Sequence, residues 1–161
     1  MNGSAEIPLF RRLADVVRSA LDGVSSDAFT ITTQSSESEL GRRHFLQLNP
    51  RSQLAASVSL VVPERTHYIV VQIGRDTRFE LPVDGPSELR GESVDVELGD
   101  LVRAAATGHF RESLLTEGDV VYESRGVIRL GDEEFTSSST GGRGPAGPRA
   151  RWVELRYGPY G

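Results

Sequence analysis

Through much of the stretch from Ala28 to Val83 apolar residues fall on every second position, and that period constrains the fold more than any other feature of the chain. Successive side chains of a strand point to opposite faces, so a two-residue period buries one face and wets the other. Phe29, Ile31 and Thr33 trace one such face, His44, Leu46 and Leu48 a second, and Val58, Leu60 and Val62 a third. A polar segment from Gln34 to Arg43, read as a loop, the breaker Asn49-Pro50 and the tight turn Pro63-Glu64-Arg65-Thr66 separate them. His67 to Ile73 is nearly continuously apolar. That predicts a strand covered on both faces, with Val70 and Ile73 in the core. Gly74 to Asp76 turns the chain into a further strand, Thr77 to Val83. Connections this short favour an antiparallel meander.

A different period marks the helices. From Pro8 to Leu21, Leu9, Phe10, Leu13, Val16, Val17, Ala20 and Leu21 recur at three- and four-residue spacing, which forms one stripe on a helix. Pro8 suits its first turn and Gly23 its stop. A second helix is expected over Glu97 to Ala106, with Leu98, Leu101, Val102 and Ala105 on one face. Phe110 to Leu115 reads as a strand. Asp119 to Glu123 and Val127 to Leu130 read as a hairpin joined through Ser124-Arg125-Gly126. Thr136 to Arg149, rich in Ser, Thr, Gly and Pro, reads as a flexible loop at 136–149. Arg151 to Tyr157 alternates again and reads as a last strand. The expected fold class is α+β: a mainly antiparallel, twisted sheet (a meander plus a C-terminal hairpin), with an N-terminal helix and a second helix packed on one face. The length of 161 residues fits a single domain over 1–161.

Composition narrows the chemistry. With no cysteine there is no disulfide framework, thiol nucleophile or thiolate metal site. No apolar run approaches the ~20 residues that span a bilayer. Asp15 and Arg18 interrupt the segment where a signal peptide needs an apolar core, so a cytoplasmic location is expected, with no membrane partner. All 18 basic residues are arginine, which fits a GC-rich genome better than any phosphate-binding motif. The lysine of a Walker loop is absent.

Charge is uneven along the chain. Residues 81–134 hold five arginines against thirteen acids, a charge of −8, whereas residues 135–161 hold four arginines against one acid. The whole chain carries −5. An acidic segment attracts basic partners and repels nucleic acid, so a basic protein partner is expected and a nucleic acid is not.

The remaining motifs are weak. Gly142-Arg143-Gly144-Pro145-Ala146-Gly147 matches GxGxxG in letters. It follows a Ser/Thr run and carries prolines where a phosphate-binding helix should start, so it is read as coincidence. His44, His67 and His109 lack paired-ligand spacing, and each is read as structural. Neither a cofactor nor a metal is expected. Asp95 and Glu97 could share one face of a strand in the manner of paired glycosidase carboxylates, a pairing common by chance. Asp132, Glu133 and Glu134 form the densest acidic run and are expected at the surface. In the last strand Val153, Leu155 and Tyr157 form a core face, while Trp152 shares the polar face with Glu154 and Arg156. There a large aromatic can anchor a partner; the plainer expectation packs it against a helix or under the glycine-rich loop.

In profile alone (small, acidic, cysteine-free, α+β, without a catalytic signature) the chain resembles the cytoplasmic immunity proteins that neutralise bacterial toxins. The likeness covers no specific residues and implies no sites. The leading expectation is a non-enzymatic, antitoxin-like protein-binding module that uses Asp132, Glu133, Glu134 and Trp152. An alternative is a small-ligand-binding or enzymatic domain with a cleft between sheet and helices and His67 or His109 as acid–base group. A third is a structural subunit joined through a sheet edge.

Overall fold

The computed structural model describes residues 7–65, 67–141 and 144–161. Strands β1 (Phe29–Ser38), β2 (Gly41–Pro50), β3 (Val58–Pro63), β4 (Tyr68–Ile73) and β5 (Thr77–Pro82) form an antiparallel meander in chain order. Helix α1 (Pro8–Ala20) precedes it and helix α2 (Val94–Ala106) follows. A second antiparallel sheet comprises β6 (Phe110–Glu117), β7 (Val120–Leu130), β8 (Glu133–Thr140) and β9 (Arg151–Arg156), in the order β8-β7-β6-β9. The class is α+β.

The alternation that predicts the meander also sets its inner face. Leu46 and Leu48, Val58, Leu60 and Val62, Ile69, Val71 and Ile73, and Phe79 and Leu81 are all buried. They join Phe10, Leu13 and Val17 of α1 and Leu98, Leu101 and Val102 of α2 in one core. Ile128 and Leu130 of β7 bring the second sheet into that core. At ~25 cal/mol per Å² of apolar surface, each of these side chains contributes ~1.5–3 kcal/mol on burial.

Several expectations need correction. Gln34 to Arg43 is not a loop, because β1 and β2 run through it as a long polar hairpin with Ser38 opposite Gly41. β4 alternates instead of being covered on both faces: Ile73 is in the core, but Val70 lies half-buried on the outer face, opposite Val61 and Glu80. α2 starts a turn earlier than its apolar stripe, because the Ser93 hydroxyl caps it by accepting from the Val96 N–H at 3.5 Å. The C-terminal hairpin has β7 and β8 as its limbs, since Ser124-Arg125-Gly126 is continuous strand within β7.

The expectation of a loop beginning at Thr136 also needs correction. Thr136 to Thr140 belongs to β8 and pairs with β7 from Val127 to Glu123. Its hydroxyls replace apolar contacts: Ser139 bonds Ser124 at 2.6 Å, and Ser137 donates to the Arg78 carbonyl at 2.6 Å. Of the GxGxxG letters, Gly142 and Arg143 lie outside the described residues, as does Thr66 of the β3–β4 turn.

The second sheet crosses the meander at β5, where Gly126 faces Thr77. A Cβ at Gly126 would stand 2.1 Å from the Thr77 Cγ2, so only glycine permits this approach.

Candidate functional site

Glu112 of β6 is 1% exposed and fastens the two sheets together. It accepts from the backbone N–H of Arg75 at 2.6 Å and of Asp76 at 3.2 Å, from the Thr77 hydroxyl at 2.9 Å, and from the Tyr157 hydroxyl at 2.5 Å. A buried carboxylate is stable only when so satisfied. Burial raises the Tyr157 pKa above the ordinary tyrosine value, and its bond to Glu112 raises it further. Nothing about one acid within a strand distinguishes this residue in the sequence.

A second buried carboxylate, Glu97, is 0% exposed on α2. It accepts from Ser87 at 2.8 Å, and Arg90 stands 3.5 Å from its other oxygen. Burial works against the Arg90 charge, but its bond to Asp100 and the nearby Glu97 hold its pKa above the usual arginine value. The pairing of Asp95 with Glu97 fails, since two helix positions two apart do not share a face. Asp95 pairs instead with Arg12 at 3.2 Å.

The histidines are dispersed. His44 is 2% exposed and stacks on Phe10 at 5.2 Å, with its Nε2 lacking a partner among the described residues. His67 is exposed, 3.9 Å from Asp84. His109 sits between α2 and β6, its Nδ1 3.2 Å from the Thr107 hydroxyl. That hydroxyl donates to the Arg103 carbonyl at 2.7 Å, so the Nδ1–H must be the donor toward it. Among the described residues no cluster of His, Asp and Glu could hold a metal, and no helix is long and apolar enough to cross a membrane.

The face of the second sheet turned away from the core is the most distinctive surface. Register brings Thr136, Val127, Arg111 and Arg156 into one row across the strands, Ser138, Arg125, Ser113 and Glu154 into the next, and Thr140, Glu123, Leu115 and Trp152 into a third. Trp152 is 45% exposed, and the Arg125 guanidinium lies 4.6 Å from its ring centroid. The expected core face of β9 is incomplete, as Leu155 and Tyr157 are half-buried while Val153 is exposed on the edge strand.

Asp132 lies in the β7–β8 turn and Glu133 and Glu134 open β8, all three exposed. Glu134 pairs with Arg111 at 3.6 Å. Arg125 pairs with Glu123 at 2.9 Å and Arg156 with Glu154 at 2.8 Å. The acidic run therefore borders a mosaic of paired charges. Six residues of β7 separate the Glu134 row from the Trp152 row, a distance of ~20 Å at ~3.3 Å per residue.

A cleft of about 340 Å³ opens at the Glu134 end, lined by His109, Arg111, Arg129, Glu134, Arg156 and Tyr157 among others. A smaller one of about 220 Å³, between α2 and the β7–β8 turn, shares His109 and Arg129 with it. The fold thus defines the class as α+β, but no protein-family model, curated protein or solved structure matches the chain.

Proposed function

We propose that the chain is a non-enzymatic protein-binding module of the cytoplasm, acting through the outer face of its second sheet. The observation that carries this reading is Trp152, held exposed on a strand and steadied by Arg125. Tryptophan and arginine dominate binding hot spots because they offer large, rigid contact area with a polar handle. A standard interface covers ~800 Å² per partner, roughly 30 Å across, enough to span Trp152 and the β7–β8 turn together.

The partner in this reading is basic. Glu134 is occupied by Arg111, which leaves Asp132 in the exposed β7–β8 turn to meet its cations, with Glu133 beside it on the other face of β8. The overall charge of −5 adds long-range attraction. An inhibitor of a basic protein, as an antitoxin-like role requires, has this form.

The test is affinity capture with wild type, Trp152→Ala and the pair Asp132→Arg with Glu133→Arg. A partner retained by wild type and lost by Trp152→Ala supports the reading. The charge-reversed pair should slow association and weaken its salt dependence. A partner held equally by all three, or tight binding of duplex DNA at physiological salt, overturns it.

A further inference from the structure

Arg111 of β6 and Arg156 of β9 are direct cross-strand partners on the outer face. Like charges placed opposite each other on a sheet are destabilising. Arg129 joins them from β7, two residues beyond Val127, the other cross-strand partner of Arg111. All three line the cleft of about 340 Å³, with His109 at its margin. Glu134, paired with Arg111, is the one carboxylate among the described residues of that lining. Arg129 spends its Nε on the Gly131 carbonyl at 3.1 Å. A chain carrying −5 overall has thus gathered three guanidiniums around one concavity.

We propose that this cleft is a binding site for a small phosphate monoester. Glu134 offsets part of the Arg111 charge and the exposed Glu154 part of that on Arg156. An anion seated between the two guanidiniums offsets the repulsion that remains. Guanidiniums arriving from three strands suit a tetrahedral oxyanion, whose several oxygens accept in different directions; a planar carboxylate offers two. Val127 and Tyr157, both half-buried in the lining, provide an apolar side for the organic part of the ligand. The volume lies at the small end of the ~300–1,000 Å³ typical of ligand pockets, which favours a compact metabolite. The cleft opens on the outer face used in the protein-docking reading but does not include Trp152, so Trp152→Ala tests that reading without altering this lining.

The probes are sodium phosphate, phenyl phosphate and, as the carboxylate arm, sodium citrate. Each is titrated at constant ionic strength while the backbone amide resonances are followed. Phosphate and phenyl phosphate should move the amides around Arg111, Arg129 and Arg156, with phenyl phosphate tighter and its Kd below ~1 mM. Arg156→Gln should weaken binding at least ~10-fold, and Glu134→Gln should strengthen it by removing a repelling charge. Arg51→Gln, on the exposed β2–β3 connection, should change nothing.

Thermal melting supplies a second readout. Without phosphate, Arg156→Gln should melt no lower than wild type, because relief of the facing charges offsets the loss of its exposed pair with Glu154. Phosphate should then raise the melting temperature of wild type by more than that of Arg156→Gln. Shifts spread evenly over all exposed arginines, citrate binding tighter than both phosphates, or equal binding by Arg156→Gln would each overturn the proposal.

Discussion

At the scale of single residues, buried polar groups divide into those with every bond made and those without. His44 belongs to the second kind: its ring stacks on Phe10 while its Nε2 finds no partner among the described residues. Phenylalanine keeps the stack and removes the orphaned atom, so His44→Phe should stabilise the fold by ~1 kcal/mol, read from urea denaturation. A loss of stability would show that the imidazole is bonded in solution. Glu112 belongs to the first kind. In Glu112→Gln the amide NH₂ would face N–H and O–H donors, so ~2–3 kcal/mol of stability should be lost. An isoenergetic variant would mean that the sheets are not joined through this carboxylate.

At the scale of elements, close approach at β5 and β7 depends on a missing side chain. Gly126→Ala forces the Thr77 side chain aside and disturbs its bond to Glu112, at a cost of ~1–3 kcal/mol. Calorimetry should register that cost, and Thr77→Ser with Gly126→Ala should recover part of it. These elements also show what a sequence discloses. The stripe of α1 and the alternation of β2 and β3 are legible because each buries one apolar face against the core. β8 and the outer half of β1 are not, since Ser and Thr populate both of their faces and no period survives. β7 looks broken at Ser124-Arg125-Gly126 because glycine there serves packing between sheets and not a turn. Alternation places Trp152 on the polar side of β9, although the plainer expectation packs it away and the side chain is 45% exposed. The convergence of Arg111, Arg129 and Arg156 could not be anticipated, because it rests on the register of the β6–β7 hairpin and on the pairing of β6 with β9, far along the chain.

At the scale of the whole molecule, the linear charge count does not survive folding, since arginines of an acidic stretch collect on one face. Alkaline pH is where charge should matter most for stability. Burial holds the protons of Tyr157 and Tyr160 above the ordinary tyrosine value of 10.0, and for Tyr157 the bond to Glu112 adds to it. A folded pKa raised in this way leaves stability intact below pH 10.0 and removes it progressively as pH rises beyond that value. Urea midpoints measured across that range should therefore fall above pH 10.0. Tyr160→Phe loses the bond to the Ala56 carbonyl, so it should start lower and fall less steeply. A wild-type midpoint that stays flat across the range would show that neither phenol resists ionisation.

The bond from Glu112 to the β4–β5 turn joins residues 37 apart in sequence, and β9 reaches back across β7 and β8 to pair with β6. The meander, by contrast, pairs each strand with its immediate successor. Closing a long segment costs chain entropy before any contact rewards it. The two halves should accordingly form at different times: the meander early, as a scaffold with its β4–β5 turn still loose, and the second sheet afterwards. In a refolding experiment with pulsed hydrogen exchange, amides of β3 and β4 should gain protection before those of Arg75 and Asp76. Simultaneous protection would mean that the bolt between the sheets closes as part of the nucleus itself.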